Sequence, residues 1–298
     1  MRRACIDIGS NTTRLLVADV EGGKLREVDH ERVFTPLARA VATGRPLARD
    51  LIADVAQVVA SQERRARERG AESVRVLGTA AIRRAPNGYA LAAAIAEGAG
   101  RPVEVLSPRE ESELAFLGAT AAPEGGCRTG ETVGVIDVGG GSTELIAGCP
   151  GESPSWYGSP GLGSADVAAR WFAGDPPSGA EVDAAREGVR AAFAALGAPS
   201  VDRALAVGGG ATSLVRVAGA ELGPGSLRAG LAELLAGPAA QVASRMGLDA
   251  RRVALLPAAI VLLEAGSTAF GATLLAVRGG VREGALLQAG PHESRAKR

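Results

Sequence analysis

The chain of 298 residues predicts an α/β protein made of two related halves, and three observations carry that expectation. Residues 133–146 read as an apolar run broken by one carboxylate, Asp137, then Gly139-Gly140-Gly141, Ser142 and Thr143, then a second apolar run from Leu145. That is the pattern of a strand, a tight turn and an antiparallel strand. It occurs twice. Residues 5–16 align without a gap on 135–146, so that Asp7 falls on Asp137, Gly9 on Gly139, Thr12 on Ser142 and Thr13 on Thr143. A repeat this far apart marks two half-molecules, and the length suits about two domains, each able to bury a core.

The repeated hairpin carries chemistry. An Asp inside an apolar strand is costly to bury without a cation or hydrogen-bond donors. Consecutive glycines let backbone N–H groups close around an oxyanion without side-chain obstruction. A carboxylate beside an amide cradle suits a metal-bound phosphate chain, and one hairpin from each half would grip it from both sides. For either hairpin alone, the competing reading is a plain turn with no chemistry.

Composition bounds the partners. Lys plus Arg equals Asp plus Glu at 33 each, and the sequence pI is 6.8, so no global field favours nucleic acid or membrane. A polyanion would have to be drawn by a local basic patch. The cations are nearly all Arg, with only Lys24 and Lys297 as Lys. Cys5, Cys127 and Cys149 lack metal-ligand spacing and fit a reducing compartment. With only His30 and His292, a His-based triad or zinc site is not expected. Asp7 interrupts the first apolar run and no membrane span is read, so the expected location is cytoplasmic.

Residues 4–20 read as strand, turn and strand, with a third strand over 24–33. Residues 35–45 read as irregular. Leu47, Leu51, Ile52, Val55, Val58 and Val59 recur at helical spacing and lead into the charged run 62–69, which stops at Gly70. The charge run reads as a solvated helix end, in preference to an anion-docking face. A strand over 73–77 opens into the loop 78–87, where α/β sheets place ligands. Arg83 there would offer fork-shaped donors to phosphate oxygens, whereas Arg84 reads as a surface residue.

A helix near 89–97 and a strand over 103–106 come next. Ser107-Pro108-Arg109-Glu110-Glu111 is a strong helix start: Ser107 as N-cap, Pro108 in the first turn, and Glu110 completing a capping box. Glu110 therefore has a full structural account. Glu111 has none, and its place beside a strand–helix corner suits a carboxylate that orients water. The helix ends near Ala121, and residues 123–130 read as a linker. The second half gives the hairpin 133–148, a strand over 153–158, and helices over 164–172 and 178–196. A buried strand over 203–207 then runs into Gly208-Gly209-Gly210, which starts a helix whose N-terminus can bind phosphate. Helices over 226–236, 238–246 and 256–266, a strand over 272–278 and a last helix from Arg282 (282–291 at its longest) complete the chain, with 292–298 as a frayed tail.

Taken together, the motifs resemble the exopolyphosphatase and guanosine pentaphosphate phosphohydrolase (Ppx/GppA) family of the actin-like ATPase superfamily. The carriers are Ile6-Asp7-Ile8-Gly9-Ser10-Asn11-Thr12, Gly78-Thr79 with Arg83 and Asn87, Glu110-Glu111, residues 136–145, Val207-Gly208-Gly209-Gly210-Ala211-Thr212, and Arg282-Glu283-Gly284. The resemblance implies two ribonuclease-H-like α/β domains, over 1–122 and 131–281, with the active site in the cleft between them and the last helix packing back on the first. It implies Glu111 as the base that activates water, and Arg83 on the terminal phosphate. Asp137, with Asp7 and Glu144, would hold Mg²⁺, or Mn²⁺ as the alternative. Gly9, Ser10, Asn11, Thr12, Thr79, Gly139, Gly140, Gly141, Ser142, Thr143 and Gly208, Gly209 and Gly210 would bind the phosphate chain.

Two departures stand out. Pro108-Arg109 replaces the family's frequent Gly-Asn before the paired glutamates, and residues 161–166 lack the basic residue many members carry. The sequence also stops where longer relatives continue into helical domains, which points to shorter substrates or a homodimer. The expected activity is exopolyphosphatase, with inorganic polyphosphate as partner. The alternatives are hydrolysis of guanosine pentaphosphate, an actin-like ATPase or kinase, and a non-catalytic sensor of polyphosphate or nucleotide.

Overall fold

The computed structural model describes residues 1–288, with Arg39 and Ala42 described by backbone alone. The expected tail 292–298, and the far end of the expected helix 282–291, lie outside the described residues. The chain divides into two compact units, one formed by Met1–Ala121 with the segment from Gly280 onward, the other by Ala122–Gly279.

The first unit carries β1 (Arg2–Ile8), β2 (Thr12–Glu21), β3 (Lys24–Phe34), α1 (Ala38–Ala42), α2 (Arg49–Glu68), β4 (Ser73–Gly78), α3 (Ala80–Arg84), α4 (Gly88–Ala99), β5 (Val103–Val105) and α5 (Pro108–Thr120). Its sheet runs β3-β2-β1-β4-β5, the first three strands antiparallel and β1, β4 and β5 parallel. Ile6, Ile8, Leu15 and Val17 point into a core completed by Val55 and Val59 of α2 and Leu91 and Ile95 of α4. Short helices at Ala38–Ala42 and Ala80–Arg84 occupy stretches that the sequence reads as irregular or loop.

The charged end of α2 is solvated only in part: Arg64, Glu68 and Arg69 are exposed, but other members of the run are tied down. Arg65 makes a two-pronged ion pair with Asp29 of β3 at 2.8–2.9 Å and reaches Glu31 at 2.9 Å, and Arg69 also bonds Asp29. Gln62 is fully buried. β3 is acidic where α2 is basic, so the run ties helix to sheet.

The second unit carries β6 (Val133–Val138), β7 (Thr143–Gly148), β8 (Trp156–Gly158), α6 (Ser164–Trp171), α7 (Gly179–Ala194), β9 (Arg203–Val207), α8 (Gly208–Ala218), β10 (Glu221–Leu222), α9 (Pro224–Leu234), α10 (Ala239–Met246), α11 (Ala250–Val253), α12 (Leu256–Phe270) and β11 (Leu274–Ala276). The sheet order is β10-β11-β9-β6-β7-β8. From β8 to β11 this repeats the first unit strand for strand: three antiparallel strands, then two parallel to the central one. The repeat read from the sequence is therefore a repeat of fold. β10 is an extra antiparallel edge strand.

Ala250–Phe270 is long and apolar enough to cross a membrane, a feature not expected from the sequence, but 67% of its apolar 18-residue stretch is buried inside the protein. Its α12 portion fills the core of the second unit, with Ile260, Leu262, Leu263 and Phe270 fully enclosed. The last described helix, α13 (Val281–Leu287), belongs to the first unit and packs on α5 and β1. Glycines make that packing possible. A Cβ at Gly284 would sit 1.9 Å from the Leu114 carbonyl oxygen, and one at Gly118 would sit 2.1 Å from that of Gly280.

Candidate active site

Each unit presents its hairpin in the same form. β1 and β2 pair Asp7 with Arg14 and Ile8 with Thr13, and β6 and β7 pair Asp137 with Glu144 and Val138 with Thr143. In both turns the glycine after the strand closes the loop: Gly9 N–H donates to Thr12 O, and Gly139 N–H to Ser142 O, each at 3.0 Å. Those two amides are spent on the turn, so Gly9 and Gly139 shape the cradle without lending their own N–H to it.

The backbone contacts made by the two turns are repeated as well. Ala38 N–H donates to Ser10 O at 2.7 Å and Thr35 N–H to Asn11 O at 2.9 Å. In the second unit, Ser164 N–H donates to Gly139 O at 3.0 Å and Ala165 N–H to Gly140 O at 2.9 Å. A trans peptide points its N–H opposite to its C=O. With these carbonyls turned toward α1 and α6, the N–H groups of Asn11, Thr12, Gly140 and Gly141 lie on the opposite side of their turns. Gly163, the N-cap of α6, touches the turn so closely that a Cβ there would sit 2.4 Å from the Gly140 carbonyl carbon. Gly163 is absent from the expected site residues, and only its glycine identity hinted at a close approach.

The side chains at the turns divide by exposure. Asn11, Thr12 and Ser142 are half-buried, whereas Ser10 and Thr79 are largely enclosed. Thr143 is 0% exposed and its hydroxyl is buried without a hydrogen-bond partner among the described residues. Thr13, its counterpart, is equally buried and pairs with the Thr35 hydroxyl at 3.0 Å. Thr79 ties β4 back to β1 through its N–H and hydroxyl, both directed at Ile8 O.

β9 runs directly into α8, which opens with Gly208, Gly209 and Gly210. Gly208 adopts φ +88°, and a Cβ there would sit 2.4 Å from Asp137 Oδ1 and 2.7 Å from Val138 O. Gly210 faces Ala259 and Val138. The glycines therefore bring the start of α8 up against the carboxylate-bearing strand.

Glu111 and Arg83 meet in the first unit. The expected capping box forms: Ser107 N–H donates to Glu110 Oε2 at 2.8 Å and Glu110 N–H to Ser107 Oγ at 3.2 Å, leaving Glu110 exposed, its carboxyl held below the usual range by the Ser107 N–H and hydroxyl that both donate to Oε2. Glu111 is buried. Its Oε2 accepts from Arg83 Nη1 at 3.1 Å, and the same nitrogen donates to the Leu106 carbonyl. α3 lifts Arg83 from the end of β4, and Leu106 N–H bonds Gly78 O at 2.9 Å, which fixes the β4 and β5 corners beside each other. The Leu106 carbonyl had no signal in the sequence. Asn87, one of the residues carrying the resemblance, clamps the backbone of Leu47 through both ends of its amide.

The residues fit a divalent cation. Asp7 Oδ1 is buried with no hydrogen-bond partner among the described residues, and burial pushes this carboxyl up, with Arg14 and Arg282 pulling the other way. An orphaned carboxylate oxygen in the interior is costly, and a cation relieves it. Asp137 and Glu144 lie directly opposite each other across β6 and β7, which sets two carboxylates side by side at the turn. At the matching place in the first unit Asp7 faces Arg14. Among the described residues no group of three or more His, Cys, Asp or Glu side chains clusters as a metal cage. Magnesium does not require one, since it keeps several waters and takes one or two carboxylates.

Residues 16–293 match the profile of the Ppx/GppA phosphatase family. Exopolyphosphatase 2 of Mycobacterium tuberculosis is 36% identical over 199 residues, covering 63% of this chain and 60% of that protein. An uncharacterized protein of Streptomyces coelicolor is 35% identical over 192 residues, covering 64% of this chain and 56% of its own. The matched region is thus under two thirds of the length of these curated relatives. A crystal structure of the Aquifex aeolicus Ppx/GppA family member aligns with 100% of this chain and 99% of its own at a TM-score of 0.81 and 27% identity.

Proposed function

This chain belongs to the Ppx/GppA phosphatase family, and from that premise we propose that it is a Mg²⁺-dependent exopolyphosphatase, removing the terminal phosphate of inorganic polyphosphate. The observation that carries the reading is the buried Glu111 held by Arg83 at a strand–helix corner, in a chain with two glycine-turn hairpins that each bear a carboxylate. Phosphoryl transfer asks mainly for positioning and charge neutralisation, and these residues supply both.

In the proposed reaction Glu111 accepts a proton from water as the water oxygen bonds to the terminal phosphorus. The bond from that phosphorus to the bridging oxygen breaks, releasing inorganic phosphate and a chain shorter by one unit. Arg83 donates to oxygens of the terminal phosphate, and turn amides after Gly9 and Gly139 donate to oxygens further along. The start of α8 adds a helix N-terminus, which favours anions. Asp137, Glu144 and Asp7 are the carboxylates that would hold Mg²⁺, which would supply charge neutralisation to the phosphate.

The competing reading is removal of the 5′ γ-phosphate of guanosine pentaphosphate, which uses the same groups plus a guanosine pocket. Phosphate release with Mg²⁺ from polyphosphate, guanosine pentaphosphate and ATP, measured in parallel, separates them. Fast release from polyphosphate alone supports the proposal. Release from the guanosine substrate at equal or greater efficiency replaces it with the second reading. Release from ATP alone removes both.

A further inference from the structure

Arg83 faces two anions. In the proposed reaction it binds the terminal phosphate, yet in this protein its Nη1 is committed to Glu111 and to the Leu106 carbonyl. The pair is partly shielded, with side-chain exposures of 26% for Arg83 and 9% for Glu111. Resting on the reading of the site given above, we infer that the Arg83–Glu111 ion pair is the resting state of the base, and that a terminal phosphate competes with Glu111 for the Arg83 guanidinium.

The chemistry favours such an exchange. A terminal phosphate carries more negative charge than a carboxylate and offers three oxygens to the guanidinium fork. The Leu106 carbonyl is a neutral anchor that can stay in place while the guanidinium changes anion, so Arg83 need not leave its corner. As Arg83 turns to phosphate, its attraction for Glu111 weakens. A buried carboxylate less strongly paired with a cation holds a proton more strongly, which makes it the better base at the moment substrate is present. With no substrate bound, the same pairing keeps Glu111 neutralised. Arg83 therefore both binds and gates, and the cost of gating falls on affinity.

That cost is measurable without turnover. Binding of tripolyphosphate is followed by calorimetry with no divalent metal added, comparing the wild type with Glu111→Gln and Glu111→Ala. In the wild type Glu111 competes with the ligand for Arg83, whereas neither variant holds Arg83 by charge. The inference expects both variants to bind about 3- to 10-fold more tightly than wild type, the range for releasing one partly shielded charged hydrogen bond. Glu111→Gln keeps the shape of the side chain, and Glu111→Ala removes its remaining hydrogen-bonding oxygen, so neither result hangs on one substitution. Equal or weaker binding by folded variants would overturn the inference and leave the assigned reaction untouched. If no form binds tripolyphosphate, and the wild type releases no phosphate from it with Mg²⁺, the inference and the proposed function fall together.

Discussion

Gly208→Ala tests the geometry around Asp137 most sharply. Gly208 sits at φ +88°, a backbone region that costs an L-residue about 1–2 kcal/mol. Its new methyl group would also lie 2.4 Å from Asp137 Oδ1 and 2.7 Å from Val138 O, overlaps that force a shift costing about 1–3 kcal/mol. The two together predict a loss of about 2–5 kcal/mol, which for a unit of this size is a fall in Tm of roughly 5–15 °C. Whatever structure survives must move Asp137 or unwind the first turn of α8. The Mg²⁺ concentration needed for half-maximal activity should therefore rise. Thermal melts by circular dichroism and a Mg²⁺ titration of phosphate release read both effects. Gly225→Ala is the control, since it lies in α9 with open space around it, and alanine there should be neutral or slightly stabilising. Should Gly208→Ala melt with the wild type and keep its Mg²⁺ dependence, the argument about this corner is wrong.

Two further predictions concern the first unit. Gly284→Ala should destabilise it by at least about 2 kcal/mol, because its methyl would meet the Leu114 carbonyl oxygen at 1.9 Å and push α13 off α5; an unchanged denaturant midpoint would refute the close crossing. The Asp29 carboxyl is held well below the usual range, chiefly by its hydrogen bond from Arg65. A depressed carboxyl stabilises the fold above its unfolded value of about 3.9, and that stability is lost as pH falls further toward the folded value. Asp29→Asn should therefore melt below wild type at pH 7, with the gap closing below about pH 4. A gap of constant size from pH 7 to about pH 2.5 would contradict this account.

How far the sequence carried the fold is clearest at the hairpins. Apolar alternation around one Asp, with glycine two residues later, predicted strand, turn and antiparallel strand, and both hairpins formed with equivalent pairs. The capping pattern at Ser107 likewise separated Glu110 from Glu111. Short elements escaped. α1, α3, α11 and β10 span five residues or fewer, too few for a period to register. Gly78 and Pro86 on either side of α3 made it look like a loop. Partners distant in sequence were also illegible. Periodicity put Arg65 and Arg69 at a helix end, but Asp29 across from them is a consequence of how α2 lies on β3. The burial of Thr143 was illegible as well, because every residue of β7 is enclosed whichever way the pleat turns it. Arg83 and Glu111 were each singled out, but their bond to each other is a consequence of β4 and β5 lying side by side.

The central claim is that Glu111 is the base for hydrolysis at a terminal phosphate, and one comparison tests it most directly. Phosphate release from polyphosphate with Mg²⁺ is measured for the wild type and for Glu111→Gln, with both shown to be folded. The account predicts rapid release by the wild type and a rate lower by about 10²–10⁴ in the variant. Equal rates from the two proteins would contradict it.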